Sequence, residues 1–308
     1  MQESFARIGN LGKFAAIIRV GGQSAMAVIA VYSVKGGVGK TTIAVDLAWR
    51  AAQTSGHRTL LWDLDPLGGA GFLLNQPERR AERAASIFQR DGRPRDLIAP
   101  TQYPGLSLLQ ADPSLRSLAL TFARLGQRRR LAALTAQLSA QFDRIVLDCP
   151  PVFNEVSEQV IGAADLVIVP LPPSPLSFRA LDLVRDEIAN QYGRTGGRHP
   201  PILPVLSMYD ARRTIHRELR AGQAAGWPIV PASSDVERTA LLRRPLGEIA
   251  PNCSAARALQ GVWDAVEAKL GTLSSVTAPI PAAVQRPAPA PRAPAVAASS
   301  PARELRVA

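Results

Sequence analysis

In the stretch VYSVKGGVGKTTIAVDL, residues 31–47, an apolar run leads directly into two lysines separated by glycines. Gly36, Gly37 and Gly39, with Val38 between them, let successive backbone N–H groups turn toward one anion, and a helix starting there adds its dipole. At this spacing Lys40 sits on the β- and γ-phosphates of a nucleotide, the Thr41 hydroxyl coordinates Mg²⁺, and Thr42 completes the donor set. The usual G-x-x-x-x-G-K-[ST] pattern would place its first glycine at Val34, and instead Lys35 precedes the glycines. One phosphate loop therefore carries a second lysine, whose purpose the motif alone does not explain.

A phosphate-bound Mg²⁺ needs a carboxylate at a strand end. FDRIVLDCPP ends an apolar run on Asp148, which can hold the metal through water. TLLWDLDPLGG places Asp63 and Asp65 two residues apart, on one side of an extended chain. Followed by Pro66 and Gly68-Gly69, they fit a switch loop that positions water near the γ-phosphate, with Asp63 as a secondary acid on the metal side.

These groups need a scaffold that aligns strand ends. Apolar runs at 28–34, 59–63, 106–110, 144–148, 166–171, 202–208 and 228–230 read as short buried strands, most followed by helical patterns such as 43–53, 176–188 and 215–225. Such alternation predicts an α/β fold, a doubly wound, mostly parallel sheet with helices on both faces. A last helix over 255–270 puts Leu259, Val262, Trp263, Val266 and Leu270 on one face, the pattern of a core-packed helix rather than a membrane-surface one. The domain is expected over 26–273. Residues 1–25 read as an N-terminal extension, either a mobile arm or the product of a misassigned start, and 274–308 as a Pro/Ala-rich disordered tail.

Of the 308 residues, 46% are hydrophobic, ample for a core, and no apolar run approaches the roughly 18 residues of a membrane helix. Cys149 and Cys253 form no CxxC pair, which argues against a disulfide framework or a zinc site. The N-terminus lacks the ordered regions of a secretory signal. The chain reads as cytoplasmic, without a stable membrane anchor. The net charge of +11, carried mostly by arginine, suits contact with a polyanion. Arg213, Arg217 and Arg220 fall at i, i+4 and i+7 and share a helical face able to neutralise DNA phosphates.

KGGVGKTT, LLWDLDP, FDRIVLDCPP and ADLVIVPLPPSPLSFRAL, in this order, resemble the ParA/MinD family of deviant Walker A P-loop ATPases, more closely its ParA (Soj-like) partition branch. The resemblance spans roughly 26–270. It implies ATP and Mg²⁺ as cofactors, slow hydrolysis, and a homodimer formed around two nucleotides. It also accounts for the second lysine. In this family the early lysine, here Lys35, reaches the phosphates bound by the other subunit, Asp65 orients the attacking water and Asp148 supports the metal. PVLSMYDARRT is similar to the family's late segment and implies Met208 near the base. Implied partners are non-specific DNA, hence nucleoid association, and a ParB-like or adaptor protein that stimulates hydrolysis during plasmid or chromosome partition. A relative positioning a protein cargo, such as a chemoreceptor array or a cellulose-synthesis or secretion machine, would share these motifs. A MinD-like division regulator would need a C-terminal amphipathic helix that the tail does not supply. Two departures stand out: Leu67 where members commonly have Gln, and Cys149 where they commonly have Thr.

Overall fold

The computed structural model describes residues 26–77, 83–89, 92–126, 129–195 and 199–277. Strands β1 (Ala27–Val31), β2 (Thr59–Asp63), β3 (Ile98–Pro100), β4 (Leu106–Leu109), β5 (Arg144–Asp148), β6 (Leu166–Leu171), β7 (Ile202–Tyr209) and β8 (Ile229–Pro231) form one sheet in the order β3-β4-β2-β5-β1-β6-β7-β8. Every neighbouring pair is parallel except β3 with β4. The helices are α1 (Lys40–Gln53), α2 (Gly69–Leu73), α3 (Leu118–Leu125), α4 (Arg130–Gln137), α5 (Glu155–Ala163), α6 (Pro175–Thr195), α7 (Thr214–Ala221), α8 (Ser234–Leu242), α9 (Leu246–Ile249) and α10 (Ser254–Thr277).

The sheet is buried on both sides, which is why its strands read as continuous apolar runs rather than alternating ones. One face carries Ile43 and Leu47 of α1, Leu246 of α9, and Leu259, Val262, Trp263 and Val266 of α10. The other carries Phe122 of α3, Leu134 of α4, Val160 of α5 and Val184 of α6, with Trp62 stacked on Phe88 at 5.9 Å. Each large side chain so buried contributes about 1.5–3 kcal/mol. The expected doubly wound sheet is therefore present.

Three expected bounds shift. The first strand ends at Val31, and the helix expected over 43–53 starts at Lys40, so the phosphate loop runs straight into its first turn. The helix expected over 215–225 is α7, which ends at Ala221 before Gly222. The last helix, expected over 255–270, runs Ser254–Thr277. The N-terminal extension and most of the Pro/Ala-rich tail lie outside the described residues. No helix among the described residues is long and apolar enough to cross a membrane.

The topology sets the site. β1 lies between β5 and β6, the chain leaves β1 toward β2, and the loops after these strands part at their carboxyl ends. In an open parallel sheet that crevice is where ligands sit.

Candidate nucleotide-binding site

The loop after β1 meets α1 at Gly39, whose φ of 89° lies in the left-handed region and makes it the helix N-cap. A side chain there would be strained, so glycine lets the loop turn its N–H groups inward. No side chain caps α1 and no acid stands in its first turn, which leaves the positive end of the helix facing the loop.

Lys40 is almost fully buried. Its Nζ donates to the Lys35 carbonyl at 3.1 Å, so the lysine curls back over its own loop. Burial pushes its pKa down, while Asp148 and then Asp65 pull it back up. Lys35 is half-buried, and its Nζ donates to Ser177 Oγ at 3.4 Å.

Asp148 closes β5 and is fully buried, yet neither carboxylate oxygen has a hydrogen-bond partner. Burial pushes its pKa up to about 7, and the Thr41 hydroxyl beside it opposes that rise without reaching either oxygen in hydrogen-bond geometry. An unpartnered carboxylate in the interior costs several kcal/mol unless something answers it. A divalent cation held between Thr41 and Asp148 would do so, and the donor set of hydroxyl and carboxylate suits Mg²⁺.

Asp63 pairs with Asp148 in register across β2 and β5. Its Oδ1 accepts from Asp65 N–H at 3.0 Å and its Oδ2 from Ala70 N–H at 3.0 Å. Asp63 thus pins both ends of the loop between β2 and α2. Burial first, then the Asp148 charge, push its pKa well up. Asp65 is half-buried, and its Oδ1 accepts from Leu67 N–H at 3.0 Å, which folds the loop into an Asx turn. Leu67 itself is 87% exposed. The loop lies against the start of α1: a Cβ on Gly69 would stand 3.0 Å from Thr41 Cγ2, close enough that the threonine would have to give by a few tenths of an ångström.

Lys35, Lys40, Thr41, Asp63, Asp65 and Asp148, expected from motifs on separate strands, therefore meet at one crevice. Met208 lies farther along the sheet, on β7. It is 45% exposed and has a φ of 54° beside a register break between Leu206 and Tyr209. Strain of this kind in a non-glycine residue marks a position held for a purpose. The turn that follows is fixed by His216, whose Nδ1 accepts from Asp210 N–H at 3.0 Å.

The three arginines are exposed, with Arg217 and Arg220 on α7 and Arg213 just before it rather than on the helix. Arg213 is the N-cap residue of α7, the Arg217 guanidinium donates back to Ala211 O and Thr214 Oγ1, and Arg220 lies over the Tyr209 ring at 5.6 Å. Among the described residues neither Glu218 nor Glu237 pairs with them.

Two supports escaped the motif reading. Arg50 and Asp46, both buried on α1, bond each other at 2.6 Å, and Asp46 also accepts from Gly247 N–H while Arg50 donates to Ala256 O. This network seats the helix that begins at Lys40 on α9 and α10. Its only trace in the sequence is an Asp-Arg pair four residues apart, which commonly marks a solvated helix face. Tyr32 leaves β1 and donates its hydroxyl to Val152 O at 2.7 Å, joining the phosphate loop to the segment after Asp148.

The AAA domain family, AAA_31, matches residues 26–194. The chromosome-partitioning ATPase Soj of Thermus thermophilus is 30% identical over 251 residues, covering 79% of this chain and 96% of that protein. The McdA–ATP complex of Cyanothece superposes with a TM-score of 0.67 at 22% identity, over 79% of this chain and 97% of that one, a likeness of fold. Cobyrinic acid a,c-diamide synthase of Mycobacterium smegmatis, solved with an ATP analogue and magnesium, gives 0.66 at 26% identity, over 79% and 94%. The motif order, the crevice geometry and these likenesses lead to one conclusion: the chain belongs to the ParA/MinD family of P-loop ATPases, in its ParA (Soj-like) branch.

Proposed function

We propose that the protein binds Mg-ATP, forms a dimer around two nucleotides, binds DNA without sequence preference in that state, and is released when a partner stimulates slow hydrolysis. The work served is partition of a plasmid or chromosome. The observation that carries the reading is the paired lysines on one loop: Lys40 is buried beside Asp148 and Asp65, whereas Lys35 lies half-buried on the rim.

The roles are those that the family resemblance implies for these positions. The N–H groups from Gly36 to Thr42 and Lys40 bind and orient the phosphates, Thr41 and Asp148 hold Mg²⁺, and Met208 lies against the base. Mg²⁺ supplies charge neutralisation at the β- and γ-phosphates when bound. Asp65, on a loop that Asp63 fixes at both ends, orients the attacking water. Lys35, delivered to the other subunit, stabilises charge on the transferring phosphoryl group, so dimerisation and catalytic competence become one event. Arg213, Arg217 and Arg220 contribute to the DNA-binding face.

The test is binding of the purified protein to non-specific duplex DNA with ATP, with ADP and without nucleotide, across a salt series. The reading expects tight binding with ATP alone, falling steeply as salt rises. Binding that ignores nucleotide, or none in any state, would overturn the DNA part of the reading.

A further inference from the structure

Ser177 is fully buried in the first turn of α6, yet it contacts the one lysine that the proposed function sends out of its own subunit. Its Oγ lies 3.4 Å from Lys35 Nζ and 2.9 Å from Ser174 Oγ. An ammonium has three donors and no acceptor, so Lys35 donates and Ser177 Oγ accepts, while the Ser174–Ser177 hydroxyl pair can run in either direction. The Lys35 backbone is held as well, its carbonyl accepting from Lys40 Nζ and its N–H donating to Ser33 Oγ at 3.3 Å.

This hold is weak for two physical reasons. A donor–acceptor distance of 3.4 Å is at the long end for N–H···O. The first turn of a helix also presents a positive dipole end, which disfavours a cation. Ser177 keeps Lys35 against its own subunit in a place where the ammonium is only partly answered, and a phosphate on the facing subunit offers far more.

Resting on the reading of Lys35 as the charge that crosses the dimer, we infer that Ser177 is a positioning residue: it retains Lys35 in cis and sets the cost of sending it across. At 3.4 Å this bond is taken at the weak end of the ordinary hydrogen-bond range, about a factor of three in an equilibrium. Two copies let go together when the dimer closes, so the factors multiply to about tenfold in the dimer dissociation constant.

The experiment compares wild type with Ser177→Ala and Ser177→Cys. Dimerisation is followed by sedimentation with Mg²⁺ and a non-hydrolysable ATP analogue, and nucleotide affinity is measured on dilute monomer. Alanine removes the acceptor and leaves Ser174 free to bond water. Cysteine nearly preserves the side-chain volume but accepts poorly, so a residue that merely fills space would tolerate it.

We expect both variants to dimerise about tenfold more tightly than wild type, with monomer affinity for the analogue unchanged. A dimer constant within twofold of wild type in Ser177→Ala, or weaker dimerisation, would overturn the inference. So would a Ser177→Cys protein that matches wild type while Ser177→Ala does not, because volume would then explain the effect. Lys35→Ala in the same assay separates the two levels: if it still dimerises normally, the crossing role itself fails. If it does not dimerise while Ser177→Ala is unchanged, only the positioning role fails.

Discussion

Replacing Asp148 with asparagine should stabilise the free protein while removing its response to Mg-ATP. The carboxylate is fully buried with both oxygens unpartnered, and its pKa rises from the usual 3.8 to about 7. That rise corresponds to about 4 kcal/mol when the group is ionised. Relaxation and water entry reduce such penalties, and loss of the charge leaves Lys40 less well answered, so about 2 kcal/mol is the expected net gain. For a domain of this size it should raise Tm by about 4–8 °C.

The dependence on pH follows from the sign of the shift. Unfolded, Asp148 loses its proton near pH 4; folded, near pH 7. Below pH 4 both states are protonated and there is no penalty, between 4 and 7 wild type loses stability as pH rises, and above 7 the whole penalty is present. Asp148→Asn lacks this slope; groups distant from residue 148 titrate alike in both proteins and cancel, while Asp63 and Lys40, which feel its charge, shift with it. Urea denaturation without nucleotide should give nearly equal stabilities at pH 4 and a gap of about 2 kcal/mol favouring the variant at pH 8. Mg-ATP should then stabilise wild type and leave the variant nearly unmoved. Parallel pH profiles, or a variant less stable than wild type at pH 8, would refute the argument that this buried charge is kept for a cation.

Glu267 behaves in the opposite sense. Burial opposes its ionisation, but hydrogen bonds from His57 and Arg144 outweigh that and hold its pKa down at about 2. Its contribution is complete above the unfolded value near 4.5 and is lost as pH falls toward 2. Glu267→Gln should cost about 2 kcal/mol at pH 7 after allowance for partial exposure, with the gap closing toward pH 3; denaturation at the two pH values checks it. Asp65→Ala should keep ATP binding and trap the ATP dimer, with turnover down about a hundredfold or more in a phosphate-release assay.

How much could be read from the residues differs by element. β1, β2, β5 and β6 are buried on both faces, so their apolar runs are plain, and β2 and β5 end on the site residues Asp63 and Asp148. β3 could not be anticipated: Ile98–Pro100 is short, half exposed, ends in proline and runs antiparallel at the edge. The site's membership was legible because backbone chemistry restricts what a phosphate loop can contain. Its wiring was not. Nothing in the order of residues says that Asp63 spends its oxygens on the N–H groups of Asp65 and Ala70, that Asp46 and Arg50 turn inward, or that Ser177, 142 positions from Lys35, meets its side chain. These contacts depend on register and on long-range packing.

The central claim is that Lys35 makes nucleotide binding and dimerisation a single event. The measurement that tests it most directly is sedimentation of wild type and Lys35→Ala with Mg²⁺ and ATP, beside ATP affinity measured on dilute monomer of each. The account predicts that both proteins bind ATP alike and that only wild type shifts to a dimer. A Lys35→Ala protein that dimerises with ATP as wild type does would contradict it.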